Sequence, residues 1–273
     1  MAGSKALNDL CEQLGDAVIF ISRETMRTLT FIGGLGRLAA DACRHPRKVK
    51  YGAVAYYMDR CGSDAMPIIA LLGALIGVIL AFQAITQLGR FGVQNYVVNL
   101  VGTVIVNELA PLVTAVVLAG RSGSAFAAEL GTMKSTEELD AMVTMGLDVG
   151  RFLLLPKLLA LMLVLPGLTI IADICGIIGA MLIVCTQLDV SIPEYYNTAV
   201  EVIKPIDLSQ GLIKSLVFGL IVAVIGCQKG MESDRDAQGV GRSATSAVVS
   251  SIFLIVIADA LLTAGFSALE KWI

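Results

Sequence analysis

Long apolar runs, separated by short polar stretches, dominate the pattern along this chain. Each run is close to the length of about 20 residues that lets a helix cross a bilayer. A few polar side chains, such as Glu108 and Asp259, interrupt them. Four runs are clear and predict transmembrane helices: Met66–Gln83, Val97–Gly120, Leu212–Cys227 and Ala244–Phe266.

A fifth run, Phe152–Thr186, is longer than one bilayer requires. Its 35 residues would form a helix of roughly 52 Å, against a hydrocarbon core of about 30 Å. Pro156 and Pro166 interrupt it, so it is either one tilted helix or two short ones. We favour one span over about 160–186 with an interfacial lead-in, where Lys157 would extend its amine to the interface. The pattern then predicts five spans, at about 66–84, 98–120, 160–186, 209–228 and 244–267.

Residues 1–65 carry no run of that length, and they form the first predicted unit, before a membrane unit at 66–273. Apolar residues recur there at helical spacing, with Arg23, Glu24 and Arg27 between them. This pattern predicts an amphipathic helix in the membrane interface, and docking on a soluble partner is the alternative. The apolar positions are Leu7, Leu14, Val18, Ile21, Thr25, Leu29 and Ile32.

Composition supports a membrane protein and excludes several other classes. Residues AVILMFWYC make up 56% of the chain and charged residues 16%, and the mean hydropathy is +0.79. These values exclude a disordered chain and disfavour a soluble enzyme. The net charge of −3 argues against nucleic acid as a partner. One histidine and six scattered cysteines leave little material for a metal site, and we interpret the cysteines as packing residues.

Positive charge predicts the orientation of the spans. With five spans and the N-terminus inside, the inside segments hold 15 of the 20 lysines and arginines. A six-span arrangement gives almost the same asymmetry, so charge does not decide the number of spans. Both arrangements predict a cytoplasmic N-terminus.

The stretch Ala119–Asp148, between spans two and three, is rich in small residues in its first half and polar in its second. Small residues permit close helix contact. In the second half, Ser135 and Glu138 have the spacing of a capping box, which predicts a short helix. Apolar side chains on this helix, such as Met142 and Val143, favour docking of a soluble motor protein, although a solvated loop helix is the commoner case.

Charged residues within the apolar runs are the other candidates for function. A carboxylate at bilayer depth is costly and usually faces the bundle interior or a cavity. Glu108, Asp173 and Asp259 are such carboxylates, and Lys157 or Arg121 is expected to pair with one of them. A structural ion pair is the alternative. Gly73 and Gly77 form a GxxxG motif in span one, which serves either packing within the chain or dimerisation.

The chain offers no catalytic machinery of its own. No phosphate-binding loop of the GxxxxGK[ST] type occurs, and the single His45 lies in a basic loop. We therefore expect a conduit, not an enzyme, with no cofactor in this chain.

Several motifs together resemble the MlaE-type permease family over roughly residues 60–273. They are Asn107–Pro111 (NELAP), Ala119–Met133 (AGRSGSAFAAELGTM), Thr136–Met142 (TEELDAM), Ile225–Gly230 (IGCQKG) and Gly239–Thr245 (GVGRSAT). The long middle motif is highly specific. The N-terminal segment carries no signature.

The resemblance implies the permease of an ABC-type system that moves lipids between the two membranes of diderm bacteria. It implies an interfacial N-terminal helix, five spans and a homodimer in the inner membrane. Partner ATPase subunits would bind ATP and Mg on the cytoplasmic side, and an MCE-domain protein would sit on the far side. Lys134–Met145 would be the coupling helix and Asn107–Pro111 would lie near the lipid cavity. Asn107 and Ala110 depart from the residues common in the family, which puts direct phosphate pairing there in doubt.

The resulting assignments form three groups. The lipid cavity would be lined by Leu75, Ile79, Phe82, Gln83, Asn107, Glu108 and Pro111. Coupling to the ATPase would use Lys134, Glu137, Glu138, Ala141, Met142 and Met145. Arg121, Glu129, Asp173 and Asp259 are further buried polar candidates. The alternatives are a scaffold subunit without a lipid path, a permease for sterols or other hydrophobic cargo, and an ion-coupled carrier that uses Glu108, Asp173 and Asp259.

Overall fold

The computed structural model describes residues 50–270, with the backbone alone at residue 270, and seven helical positions between residues 26 and 37. The chain divides into two compact units, Met1–Val49 and Lys50–Ile273. In the first unit, the hydroxyl of Thr30 donates to the carbonyl of Met26 at 2.8 Å. The apolar face predicted from Leu7 to Ile32 lies outside the described residues. The predicted division at residue 65 stays a prediction.

Residues 50–270 form helices and no strands, which confirms an all-α polytopic membrane protein. The helices of this part of the chain are α1 (Tyr51–Gly62), α2 (Met66–Arg90), α3 (Gln94–Ser135), α4 (Glu138–Thr144), α5 (Gly150–Gln187), α6 (Ile192–Val202), α7 (Pro205–Glu232) and α8 (Ala237–Glu270). Five of them, α2, α3, α5, α7 and α8, are long and apolar enough to cross a membrane, as predicted.

All five spanning helices extend beyond their predicted bounds, α3 and α5 by the most residues. Helix α3 has 42 residues and continues past the predicted end at residue 120. At 1.5 Å per residue it is about 63 Å long, so it extends beyond a core of about 30 Å. Helix α5 is continuous over 38 residues with Pro166 inside, which confirms one segment in place of two. It begins at Gly150, ten residues before the predicted start, because the lead-in is helical too.

Prolines explain two of the three π turns in these long helices, and the third, at Ala119–Gly123, has no proline after it. The π turn at Ile105–Leu109 precedes Pro111, and the one at Gly150–Leu154 precedes Pro156. Proline has no N–H and its ring crowds the carbonyl four residues earlier. That carbonyl lies inside the widened turn in both cases, so the extra residue accommodates the proline without ending the helix.

The GxxxG motif packs within the chain. A Cβ on Gly73 would lie 2.8 Å from the carbonyl oxygen of Ala172, and one on Gly77 would clash with the carbonyl of Gly176. Only glycine therefore permits this approach of the α2 and α5 backbones. Of the two roles left open for the motif, packing within the chain is the one that the structure supports.

The short helices mark the two ends of the bundle. At the 138–144 end, α4 lies beside the α7–α8 junction, where Arg235 pairs with Asp140 at 2.8 Å. At the opposite 192–202 end, α6 packs on α3 and α5. The burial of Tyr195 in α6 raises the pKa of its hydroxyl to about 12.

The predicted capping box is wrong. Ser135 belongs to α3, and its hydroxyl donates to the carbonyl of Thr132 at 2.9 Å. Glu137 adopts a left-handed conformation with φ 61°, which turns the chain before α4 begins at Glu138. The break falls two residues later than the capping pattern requires, so Ser135 cannot cap α4.

Candidate functional site

A lysine-centred charge cluster joins three spans inside the bundle. Lys214 of α7 has a side chain that is 1% exposed, and its Nζ lies 2.5 Å from Oε2 of Glu108 on α3. The same Nζ lies 3.1 Å from Oδ1 of Asp259 on α8 and donates to Oγ1 of Thr263 at 2.8 Å. The Thr263 hydroxyl donates in turn to Oε1 of Glu108 at 3.1 Å. We call Glu108, Lys214, Asp259 and Thr263 the Lys214 cluster.

Local backbone features bring Glu108 to the lysine. Glu108 lies in the π turn before Pro111, and the extra residue of this turn changes which side chains face α7. Gly211, one turn before Lys214, lets α7 approach closely, because a Cβ there would clash with the carbonyl of Val106. Asn107, beside Glu108, donates through Nδ2 to Asp207 of α7 at 3.2 Å.

The exposed side of the Lys214 cluster is acidic. The side chains of Glu108 and Asp259 are 34% and 19% exposed, whereas Lys214 is covered. Lys214 lies about 14 Å along α7 from its start at Pro205, at a depth where unpaired charges are strongly disfavoured. The covered ammonium of Lys214 therefore compensates carboxylate charge from inside the bundle. The carboxylate oxygens of Glu108 and Asp259 face the open side, where they can accept hydrogen bonds.

The expected pairing of Lys157 or Arg121 with Glu108, Asp173 or Asp259 is wrong. Arg121 pairs with Asp64 at 2.6 Å, and Lys157 pairs with Glu129 at 3.2 Å. Sequence reasoning missed Lys214 as the partner of Glu108 and Asp259. Its position could have indicated this pairing, because Lys214 lies between Gly211 and the apolar stretch that follows, where its amine cannot reach water.

The expectation that Lys157 extends to the membrane interface is also wrong. Its side chain is 0% exposed, and Nζ lies 5.3 Å from the ring centres of both Tyr57 and Phe126. The Tyr57 hydroxyl donates to Oε1 of Glu129 at 2.8 Å. Burial, with the hydrogen bond to Glu129, raises the pKa of the Tyr57 hydroxyl above its ordinary value, so it stays a donor at physiological pH.

Asp173, in the middle of α5, is 5% exposed. Its Oδ1 has no hydrogen-bond partner among the described residues. The structure gives it no cation to pair with in the part of the chain that it describes.

The residues expected to line a lipid cavity fall into two separate groups. Leu75, Ile79 and Phe82 are 46–61% exposed on one side of α2, and Gln83 is exposed beside them. The buried side of α2, including Ile69 and Ala81, packs inside the bundle. Asn107 and Glu108 instead contact α7 and α8, and Pro111 is buried. Within one chain, the apolar and polar groups do not form one site.

The residues expected to couple to a partner lie around α4. Lys134 donates to the carbonyl of Met231 at 2.8 Å, which ties the end of α3 to the end of α7. Arg235 holds α4 through Asp140 and, at 3.6 Å, through Glu137. Glu138 and Ala141 are exposed and Met142 is half-buried.

Two large apolar side chains at α4 are exposed, although α4 lies at the polar end of the bundle. Val143 is 63% exposed and Met145, which follows the helix, is 67% exposed, whereas Leu139 is buried beneath them. We call Val143 and Met145 the α4 face. Because the anchoring contacts fix α4 on the bundle, this face presents a rigid apolar surface.

The five spans and the buried Lys214 cluster define a multi-pass helical membrane protein with ionisable groups at bilayer depth. The family described as permease MlaE matches residues 54–264, and the chain belongs to this family. The resemblance found in the sequence is confirmed.

Curated relatives agree on the class of protein. A probable ABC transporter permease protein of Rickettsia prowazekii is 37% identical over 75% of this chain and 79% of its own length. Another probable ABC transporter permease protein, of Synechocystis, is 35% identical over 76% of this chain and 78% of its own length. The chloroplastic protein TRIGALACTOSYLDIACYLGLYCEROL 1 of Arabidopsis thaliana is 34% identical over 80% of this chain and 63% of its own. The chain is thus an ABC transporter permease of the MlaE family.

Proposed function

We propose that this permease is the transmembrane subunit of an ATP-driven transporter that moves lipid, with phospholipid as the cargo class, between the inner and outer membranes. The observation that carries the proposal is the Lys214 cluster, which places hydrogen-bond acceptors inside an apolar bundle. A lipid whose headgroup carries N–H or O–H donors has the matching chemistry, since it joins hydrogen-bond donors to apolar chains. The name of the Arabidopsis relative contains the name of a galactolipid, which supports lipid as the cargo but does not specify phospholipid.

A homodimer would complete the lipid path. Only 28% of the apolar window of α2 and 17% of that of α8 is buried in the single chain, against 44–56% in the other three spans. In our proposal the second copy covers part of these surfaces. Acyl chains would then contact Leu75, Ile79 and Phe82, and the headgroup would contact Gln83, Asn107 and Glu108.

Energy would come from a separate ATPase subunit that binds ATP and Mg. The α4 face fits a groove on such a subunit, because its apolar side chains are exposed and its acidic neighbours Glu137 and Glu138 add polar contacts at the rim. Force on α4 would pass to α3 through Lys134 and to the α7–α8 junction through Arg235. The spans α3 and α8, which carry the carboxylates of the Lys214 cluster, would then move together with α4.

The orientation follows from charge. In our proposal the 138–144 end and the N-terminus are cytoplasmic, the protein lies in a bacterial inner membrane, and an MCE-domain protein covers the 192–202 end. Lysines and arginines concentrate in the segments that this orientation places inside.

Docking of the ATPase is tested by the double variant Val143→Asp, Met145→Asp in the co-expressed transporter. Each substitution places a carboxylate on the apolar face, so ATPase recovered with the tagged permease should fall by on the order of tenfold or more. Lipid transfer between vesicles, driven by ATP, should be lost in parallel.

Val200→Asp is the matched control, because Val200 is 59% exposed on α6 at the other end of the bundle. It should leave ATPase recovery unchanged. Undiminished ATPase recovery and transfer in the double variant would reject the coupling role of α4. ATPase recovery without any lipid transfer by the unmodified complex would reject the lipid path and favour a scaffold.

A further inference from the structure

A cavity lies between α1 (Tyr51–Gly62) and the last turns of α3 (Gln94–Ser135), away from the Lys214 cluster. Its volume is about 570 Å³, within the range of roughly 300–1,000 Å³ of small-molecule sites. It lies at the 138–144 end. We call it the α1–α3 cavity, and its lining residues include Arg60, Asp64, Arg121, Phe126 and Glu129.

The lining of the α1–α3 cavity carries charges of both signs. Arg60 and Arg121 are the cations, and Asp64 and Glu129 are the carboxylates. An anion alone would be repelled by the two carboxylates, and a cation alone would be repelled by the two arginines. A group that carries separate positive and negative charges matches this lining best.

Arg121 has unused capacity to bind an anion. Its Nη2 lies 2.6 Å from Asp64, and 39% of its side chain is exposed. The guanidinium has five N–H donors, so it can bind an acceptor in the cavity while it holds Asp64. Arg60 adds a second guanidinium, which makes a long contact of 3.4 Å to the hydroxyl of Tyr56.

The carboxylates and the apolar lining complete the match. Oε1 of Glu129 accepts from Tyr57, and Glu129 also pairs with the covered Lys157, so its position in the cavity wall is fixed. Asp64 is held by Arg121 and is 58% exposed, so it can accept from an ammonium group. Ala125, Ala128 and Met133 supply apolar surface for the start of an acyl chain.

We propose that the α1–α3 cavity binds the headgroup of a zwitterionic phospholipid with a primary ammonium, of the phosphoethanolamine type. The phosphate contacts Arg121 and Arg60, and the ammonium contacts Asp64 and Glu129. Asp64 closely precedes the start of span α2 at Met66, which places the site at headgroup level. The bound lipid belongs to the leaflet at the 138–144 end and is distinct from transported cargo. Only its assignment to the cytoplasmic leaflet rests on the proposed function.

The test is native mass spectrometry of the full-length permease with its co-purified partners, in detergent, after addition of one defined lipid at a time. The probes are dioleoyl phosphatidylethanolamine, phosphatidylcholine and phosphatidylglycerol. Phosphatidylethanolamine should be retained best, because a trimethylammonium has no N–H to donate and phosphatidylglycerol has no cation. Arg60→Gln, which removes an exposed side chain, should weaken retention about tenfold, and Arg90→Gln, at the other end of α2, should not.

A filling variant keeps the test valid if loss of an arginine disturbs the fold. Ala125 is exposed in the cavity wall, so Ala125→Trp should expel the lipid without removing a charge. Ala55→Trp, on the exposed side of α1, is its control. A Lys214→Met background separates this site from cargo, because lipid in the α1–α3 cavity should remain there.

Four results would overturn the proposal. The first three are equal retention of the three lipids, retention by Arg60→Gln and Ala125→Trp equal to that of the unmodified protein, and full displacement of the lipid by inorganic phosphate. The third of these would indicate a site for the free anion. The fourth is loss of retention in Lys214→Met alone, which would assign the lipid to the transport path and leave the proposed function intact.

Discussion

The balance of charge around Lys214 decides what a substitution there should do. One covered ammonium faces two partly exposed carboxylates. Removing one partner of a buried ion pair leaves the other without compensation, which costs about 3–5 kcal/mol. Lys214→Met should therefore lower the apparent Tm of the purified permease in detergent, as measured by thermal unfolding.

The triple variant Lys214→Met, Glu108→Gln, Asp259→Asn is the control for charge. It removes the whole set of charges, so it should recover most of the lost stability, since an uncharged buried set is often as stable as an ion pair. A Tm for Lys214→Met equal to that of the unmodified protein would show that Lys214 does not compensate these carboxylates.

Tyr57 should contribute to stability through its hydroxyl. Tyr57→Phe removes the hydrogen bond to Glu129, and hydrogen bonds to charged groups contribute about 1.5–3 kcal/mol. Chemical unfolding should therefore show a loss of that size. Tyr56→Phe is the matched control, because its exposed hydroxyl makes only the long contact to Arg60 and should change stability little.

The stabilisation by Tyr57 should also depend on pH. Because the pKa of Tyr57 is raised in the folded protein, the stabilisation is fully present below the unfolded pKa of about 10. It should be lost as the pH rises above that value and through the folded pKa. An unchanged difference between the unmodified protein and Tyr57→Phe well into that alkaline range would contradict the assigned hydrogen bond.

Individual side chains were predicted unevenly from the sequence. Burial of Asp173 followed from its position in an apolar run. The partners of Lys157 and Lys214 could not be predicted in this way, because ion pairs between spans depend on the rotation of each helix about its axis. The π turn at Ile105–Leu109 changes the helical register, and no spacing rule for a regular α-helix includes it.

Close packing of α2 on α5 gives a prediction about whole elements. Gly77→Ala places a Cβ against the carbonyl of Gly176, so the two helices must separate and thermal stability should fall. Gly167→Ala, in α5, is the matched control, because a Cβ there would have no neighbour within 4 Å and alanine favours a helix by roughly 0.5–1 kcal/mol. Equal Tm values for the two variants would contradict the packing.

The lengths of the elements show what a hydropathy pattern can and cannot determine. It located the five spans because apolar runs are required inside a bilayer. It ended span two at residue 120, whereas α3 continues to Ser135. Small residues such as Gly123 and Gly131 lower hydropathy without breaking the helix, since they pack against Val222 of α7 and Val240 of α8.

At the scale of the molecule, the fold class and family were predictable because the motifs are long and the composition is unusual. The lipid path was not predictable from the sequence, because it needs two surfaces from different places in the chain. The Lys214 cluster and the outward apolar side of α2 do not meet within one chain. Our account therefore requires that they meet across a dimer, with the ATPase at the 138–144 end.

The most direct measurement is mass spectrometry of the tagged complex purified in mild detergent, covering proteins and bound lipids together. Our account predicts recovery of an ABC-type ATPase, an MCE-domain protein and stoichiometric phospholipid. Recovery of the ATPase with a sterol would keep the permease class and contradict the cargo class. Recovery of the chain alone, with neither ATPase nor lipid, would contradict the central claim that this permease carries lipid under the control of a partner ATPase.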